Sequence, residues 1–414
     1  MKIKDFLKSG HPPTLFSAFL YFDVSFMVWV LMGVLGVYIA KDFGLTATQK
    51  GLLAAIPILG GSLVRIPLGL LVDSIGPKKT GIVGQLLVLV PLLGVWLFSP
   101  GFHPLLFFGL FLGIAGGSFA VSLPLASRWY PAEHQGTALG IAGAGNSGTV
   151  LASLFAPRLA EHFGWHAVFG LALIPVLITL GIFYFFAKDS PEQPEPKKIS
   201  SYFSVLKETD TFWFCFFYSI TFGGFVGLAS FLGIFFHDQY GLSKVMAGNL
   251  TALCVFAGSF ARPVGGALAD MFGGIKVLSV LFALISLLMF GVSSLPGLLF
   301  VTVLIVGGMA CLGVGNGAVF QLVGLRFRKE IGVMTGIVGA AGGLGGFFLP
   351  TALGFLKDSV GSYGAGFALF ALAGASALVI LRMVQKGWSF ARLLPEIDGP
   401  KAEAISLEIE SESR

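Results

Sequence analysis

Charge is scarce in this sequence. Asp, Glu, Lys and Arg supply 11% of its 414 residues, less than half of the roughly 25% of an ordinary soluble domain. A water-soluble fold of this size would lack the polar groups to cover its surface. A nucleic-acid partner is not implied either, because the formal net charge of +5 comes mostly from short loops rather than one basic face. Cysteine is nearly absent. Cys215, Cys254 and Cys311 all fall in apolar stretches, without metal-ligand spacing and without a neighbouring His, and read as small apolar core residues. No zinc site, phosphate-binding loop or nucleophilic triad can be assembled, so neither an enzyme nor a cofactor or metal is expected.

Apolar residues and glycine fill the space that charge leaves. Hydrophobic residues make up 55% of the chain and the mean hydropathy is +0.88. There are 58 glycines, about twice the average usage of roughly 7%, as suits membrane helices whose backbones approach closely. After Lys2, Lys4 and Lys8 an apolar run extends from Leu15 to Ala40. It is longer than the 7–15 residues of a signal peptide's apolar region and reads as a first membrane span. A bilayer core of about 30 Å needs about 20 residues of apolar helix. Twelve such stretches are expected, near residues 14–40, 48–73, 79–99, 103–126, 135–158, 166–187, 211–236, 245–270, 275–294, 296–323, 331–356 and 362–385. The class is therefore an all-α membrane protein. Residues 1–187 form a first six-helix bundle, 188–210 a polar linker with Pro191, Pro194 and Pro196, 211–386 a second bundle, and 387–414 an acidic tail.

Twelve spans place both ends of the chain on one side. By that reading, 19 Lys and Arg lie on the side of the termini and 5 on the other. The bias of basic residues toward the cytoplasm then predicts cytoplasmic termini and insertion in the inner, or plasma, membrane. These 24 leave two of the 26 basic residues, Arg65 and Arg262, inside spans.

The chain repeats itself. At an offset of 197 residues Tyr21 falls on Tyr218, Gly36 on Gly233, Gly44 on Gly241, Arg65 on Arg262, Gly69 on Gly266 and Asp73 on Asp270. At 196, Gly136, Gly140 and Gly143 fall on Gly332, Gly336 and Gly339. Two tandem halves related by an axis along the membrane normal put a binding site between them, near mid-membrane.

The loop after the second span reads Gly69-Leu70-Leu71-Val72-Asp73-Ser74-Ile75-Gly76-Pro77-Lys78-Lys79, with a fainter copy at Gly266-Ala267-Leu268-Ala269-Asp270-Met271-Phe272-Gly273. It resembles the loop signature of the major facilitator superfamily over nearly the whole chain, departing from it at Pro77, where the signature prefers Arg. The resemblance implies a twelve-helix alternating-access transporter that works as a monomer in the lipid bilayer. It also implies a gating latch built from Gly69, Asp73, Gly76, Lys78 and Asp270.

The two buried arginines carry the chemistry. An arginine at a helix centre costs about 2.5–3.5 kcal/mol on insertion scales and survives only against a wet cavity or a partner. Arg65 lies eight residues before Asp73, roughly 12 Å along a helix at 1.5 Å per residue. The repeat sets Arg262 opposite it. Without a fixed acid the pair repel, and an anion between them satisfies both; alternatively each binds a helix carbonyl or carboxylate.

Glycine runs follow in the fifth span (Gly140 to Gly148) and the eleventh (Gly336 to Gly346). Such density exposes backbone and permits close helix packing. Both runs resemble the signatures of the nitrate/nitrite porter family, to which Tyr218, Phe222, Phe119 and Asn146 are also similar. The resemblance implies that Arg65 and Arg262 clamp nitrate or nitrite and that Asn146 and Tyr218 donate polar contacts. Phe119 and Phe222 wall the anion, with Gly143 and Gly342 lending main-chain access. A guanidinium fork suits a planar oxyanion. Asp23, the one acid well inside a span, is the coupling candidate: a proton carrier for nitrate/proton symport, or an electrostatic partner if the mode is nitrate/nitrite exchange. The alternatives are another small anion such as a monocarboxylate or oxalate, a non-transporting anion sensor, or a passive channel.

Overall fold

The computed structural model describes residues 3–191, 204–327 and 330–388. The linker from 192 to 203, Arg328, Lys329 and the tail from 389 onward lie outside the described residues. Among the described residues there are only helices, turns and short connections.

Among the described residues eleven helices are long and apolar enough to cross a membrane. They are span 2 (Ala47–Ile75), span 3 (Pro77–Phe98), span 4 (Phe102–Ser127), span 5 (Thr137–Phe163, its helix starting at Ala132), span 6 (Trp165–Phe186), span 7 (Thr209–Tyr240), span 8 (Lys244–Phe272), span 9 (Gly274–Ser293), span 10 (Leu298–Arg326), span 11 (Ile331–Val360) and span 12 (Tyr363–Val384). Span 1 completes the twelve, but as three pieces, Pro12–Trp29, Leu31–Val34 and Gly36–Phe43. At both breaks, Val30 and Leu35, ψ rises to 0°, and the second lies between Gly33 and Gly36, which weaken a helix locally. Tertiary contacts bend it: the Trp29 indole N–H donates to the Pro57 carbonyl at 2.7 Å, and Gly33 lies so close to span 7 that a Cβ there would stand 2.3 Å from the Ser230 carbonyl oxygen.

Most helices run past the apolar stretches that announce them because they end at caps. Span 7 continues to Tyr240 and stops at Gly241, whose φ of +65° only glycine adopts at no cost. The reversals repeat. Among the described residues the six positive-φ glycines pair as Gly44 with Gly241, Gly76 with Gly273, and Gly164 with Gly361, each 197 residues apart, and the two positive-φ non-glycines, Ser99 and Leu295, are 196 apart.

Large apolar side chains such as Phe185, Leu287, Leu299 and Leu372 stand exposed on the periphery, an arrangement suited to lipid and not to water. Span 7 is central: 94% of its most apolar window is buried, against 33% for span 12.

The two halves meet along two equivalent seams. On one, a Cβ at Gly51 of span 2 would stand 2.4 Å from the Pro350 carbonyl oxygen of span 11; on the other, a Cβ at Gly248 of span 8 would stand 2.7 Å from the Ser153 carbonyl oxygen of span 5. Both pairs are related by the offset of 197. Gly33 and Ser230 are themselves such mates, so the pseudo-two-fold axis passes between them.

The hydrogen bonds that join the halves at Ala47, Thr48, Lys50, Ser62, Arg65, Arg158 and Ser259 all lie at the level of Arg65 or farther from the chain's two ends. Asp358 accepts from the Ala47 N–H at 3.1 Å, the Thr48 N–H at 2.8 Å and the Thr48 hydroxyl at 2.6 Å. Lys50 pairs with Asp238 at 2.6 Å, and Arg158 donates to Asn249 at 2.8 Å. The side remote from the termini is closed.

Candidate functional site

At mid-depth Arg65 is fully buried. Its Nε and Nη2 donate to the Gly116 carbonyl of span 4 at 3.3 and 3.2 Å, and its Nη1 donates to the Gly339 carbonyl across the seam. Three aromatic rings surround its guanidinium carbon, Phe222 at 4.8 Å and Trp29 and Phe119 at 5.5 Å. Ring faces carry partial negative charge, so they compensate a desolvated cation.

Arg262 differs from its mate. Its guanidinium carbon stands 5.2 Å from the same Phe119 ring, and its Nη1 is buried without a hydrogen-bond partner. Phe119 thus touches both arginines. Tyr218 is fully buried, stacks on Phe222 at 5.1 Å with an interplanar angle of 3°, and lies within electrostatic reach of both guanidiniums. Its hydroxyl makes no hydrogen bond of ordinary geometry. Among the described residues neither Arg65 nor Arg262 is ion-paired with a carboxylate.

Asn146 lies in a short 3-10 stretch, Ala144–Ser147, inside span 5. It is buried, and both atoms of its amide are unpartnered. Its main-chain carbonyl accepts from Ser259, one turn before Arg262, at 3.3 Å. Gly143 faces open space. Gly342 gives way to the aromatic pair: a Cβ there would stand 2.5 Å from the Tyr218 ring and 3.1 Å from Phe222. A second 3-10 stretch, Gly113–Ser118, precedes Phe119 in span 4; such tightened turns inside long helices mark strain or hinge points. Toward the termini, the site is covered by Phe320 of span 10, whose ring lies 5.8 Å from Phe119 and 4.9 Å from Tyr218.

The residues singled out in the sequence therefore fall into three places. Arg65, Arg262, Tyr218, Phe119 and Phe222 come together, with Gly342 against their rings and Asn146 on the adjoining seam. Asp23 sits elsewhere, between spans 1 and 5, where its Oδ1 accepts from the Ser147 hydroxyl at 2.6 Å. The loop residues lie at the end nearer the termini. Asp73 pairs with Arg128 at 2.8 Å, Asp270 accepts from Gln321 at 3.0 Å, and Gly76 turns at φ +89°. The Lys78 N–H donates to Asp189 at 2.8 Å, while Gly69 is half-buried on span 2. Trp29, Phe320 and Asn316 were not expected. Trp29 and Phe320 carry no signal in so aromatic a chain, and Asn316 hides in a run of small residues.

Among the described residues no group of His, Cys, Asp or Glu could hold a metal ion, and the three cysteines are free thiols. Two pseudosymmetric six-helix halves with a buried cationic centre between them define a transporter fold. The family described as Major Facilitator Superfamily matches residues 17–350, and the chain belongs to that superfamily as a non-enzymatic, multi-pass membrane protein. Within it the chain groups with the nitrate and nitrite porters. It is 35% identical to the "Nitrite extrusion protein" of Bacillus subtilis over 86% of this chain and 91% of that one. It is 35% identical to the "Probable nitrate transporter NarT" of Staphylococcus carnosus (87% and 93%). The "Probable nitrate/nitrite transporter NarK2" of Mycobacterium tuberculosis is also 35% identical (81% and 87%). Among solved structures, a bacterial homologue of the human lysosomal transporter Spinster shares the fold at a TM-score of 0.64 and 19% identity, over 89% of this chain and 94% of that one.

Proposed function

We propose that this protein moves nitrate and nitrite across the plasma membrane by alternating access, as a nitrate/nitrite exchanger. The observation that carries the reading is the pair Arg65 and Arg262, both against Phe119, with no carboxylate ion-paired to either among the described residues and an unpartnered donor on Arg262. An empty site leaves two cations facing each other in a region of low dielectric, which opposes reorientation. A bound monovalent oxyanion removes that barrier, so cargo is needed on both strokes. Arg262, Tyr218 and Asn146 supply donors to the anion, while Phe119 and Phe222 exclude water. Gly143, with open space beside it, lets the ion approach main chain, while Gly342 makes room for the Tyr218 and Phe222 rings that wall the site. The names carried by the relatives, nitrite extrusion and nitrate transport, support the choice of cargo.

In this reading residues 1–187 and 211–386 rock as two bundles within one monomer, joined by the linker 188–210, with both termini cytoplasmic and the tail 387–414 beside them. The loop residues Gly69, Asp73, Gly76, Lys78 and Asp270 latch the cytoplasmic side when the outer side opens. Asp23, buried and held by Ser147, favours a second reading, nitrate/proton symport.

Proteoliposome uptake of labelled nitrate separates these readings. Uptake that requires nitrite or nitrate inside, and ignores an imposed pH gradient, is the expected result. Uptake driven by the pH gradient alone would replace exchange with symport. No uptake under either condition would end the reading for these ions.

A further inference from the structure

Asn316 of span 10 is 1% exposed, and neither its Oδ1 nor its Nδ2 has a hydrogen-bond partner. An amide left unpaired when desolvated is costly to the fold, which marks this side chain out among the buried residues. The neighbours fix where this side chain points. Gly315 packs on span 7, where its Cβ would stand 2.6 Å from Thr221 Cγ2; Gly317 packs on span 8, where its Cβ would stand 2.4 Å from the Arg262 carbonyl oxygen. Successive helix residues are about 100° apart, so Asn316 bisects these two directions and faces the gap between spans 7 and 8. Those spans carry Tyr218 and Arg262. One turn on, at i+4 and on the same face, Phe320 contacts both Phe119 and Tyr218. Asn316 is also the mate of Phe119 at the offset of 197. At the position where the N-terminal half carries a ring against both guanidiniums, the C-terminal half carries an amide.

We propose that Asn316 is a substrate-contacting, specificity-determining residue. Its Nδ2 donates to an oxygen of the bound oxyanion, from the side opposite Asn146. This rests on the anion-transport reading above. The carbonyl oxygen of the same amide is left facing donors such as Arg262 Nη1, so the group orients a cation and an anion together. An anion carrying an apolar group in place of an oxygen would leave the Asn316 N–H unpaired.

The test is nitrate/nitrite exchange in proteoliposomes by Asn316→Leu, which keeps the volume and removes both polar atoms, with Asn316→Ala as the second variant should the first fail to fold. Loss of one hydrogen bond to a charged group is expected to raise KM about tenfold, equal to about 1.4 kcal/mol. The maximal rate should stay within about twofold, and the ratio of nitrate to nitrite KM should change. A merely structural amide predicts the reverse: Leu in an apolar site keeps KM and that ratio and stabilises the fold. Either variant folded, with wild-type KM for both ions, overturns the proposal. Thermal stabilisation by nitrate and nitrite separates this failure from that of the transport reading. A wild type stabilised by neither ion and moving neither ends both. A wild type that does both, with Asn316→Leu behaving identically, ends this inference alone.

Discussion

Arg65 in the N-terminal half donates from Nη1 to the main-chain carbonyl of Gly339 in the C-terminal half. The contact is the innermost hydrogen bond of the closed seam and also part of the cationic centre, so the state of the site and the state of the gate are one arrangement. Its mate Arg262 has no such brace on Nη1. The two arginines are equal in charge but not in role: one holds the halves together, and the other has a donor to offer.

Arg65→Lys and Arg262→Lys should therefore fail differently. Lysine keeps the charge and loses the planar fork. Arg262→Lys is expected to raise the KM for nitrate at least tenfold with thermal stability unchanged, since about 1.5–3 kcal/mol attends a hydrogen bond to a charged group. Arg65→Lys should lower both affinity and melting temperature, because the carbonyls of Gly116 and Gly339 lose their donors. Uptake kinetics and melting curves on the same preparations check this; wild-type uptake and melting by Arg65→Lys would remove its bracing role.

Gly51→Ala inserts a methyl 2.4 Å from the Pro350 carbonyl oxygen. Overpacking of this kind costs about 1–3 kcal/mol, and here it falls on the closed state alone. Spin labels on the remote ends of spans 2 and 11 should report a longer distance. Gly140→Ala, with nothing within 4 Å of the added carbon, should leave that distance as it is.

Asp358→Ala removes the acceptor shared by the Ala47 N–H and both donors of Thr48 at the start of span 2. Loss of a helix cap is worth about 1 kcal/mol, a factor of roughly five in the closed-to-open ratio. The same spin-label pair should shift in the same direction as in Gly51→Ala, by less.

Asp23→Asn keeps an acceptor for the Ser147 hydroxyl and removes the charge. Under exchange, nitrate/nitrite counterflow is expected to stay within about twofold of wild type at every pH assayed. A loss of more than tenfold, together with pH-driven uptake in the wild type, would assign Asp23 the proton.

The fold was legible because its signal is redundant. Apolar length, breaker clusters and an internal offset all point to twelve spans, and the helices found begin and end within a few residues of the stretches expected. Differences have local causes. Span 7 outruns its apolar stretch to reach Gly241, and span 1 breaks at Val30 and Leu35, where Gly33 and Gly36 weaken the helix at the second break and the approach of spans 2 and 7 bends the chain. At the site, charge in an apolar stretch made Arg65 and Arg262 conspicuous, whereas direction was hidden. Tyr21 aligns with Tyr218, yet its ring packs on Phe183 of span 6 at 4.8 Å, away from the centre. Carbonyl binding was one of two alternatives open for each arginine, and composition could not say that Arg65 alone would take it, nor pick Asn316 out of Gly-Asn-Gly, although the offset that places it on Phe119 was available.

The eight residues with positive φ, paired at 197 or 196 along the chain, sit where helices end, and the positions around the anion do not pair in kind: Phe119 answers to Asn316, and Asn146 to Gly342. If one ancestral half was duplicated, the hairpins are what both descendants kept, since a lost left-handed cap harms folding whichever half it occurs in. The mid-membrane positions were free to drift apart once two copies shared a single cargo. Transplanting side chains between the copies at 119 and 316 would then rewrite selectivity, while transplanting the reversals would rewrite nothing.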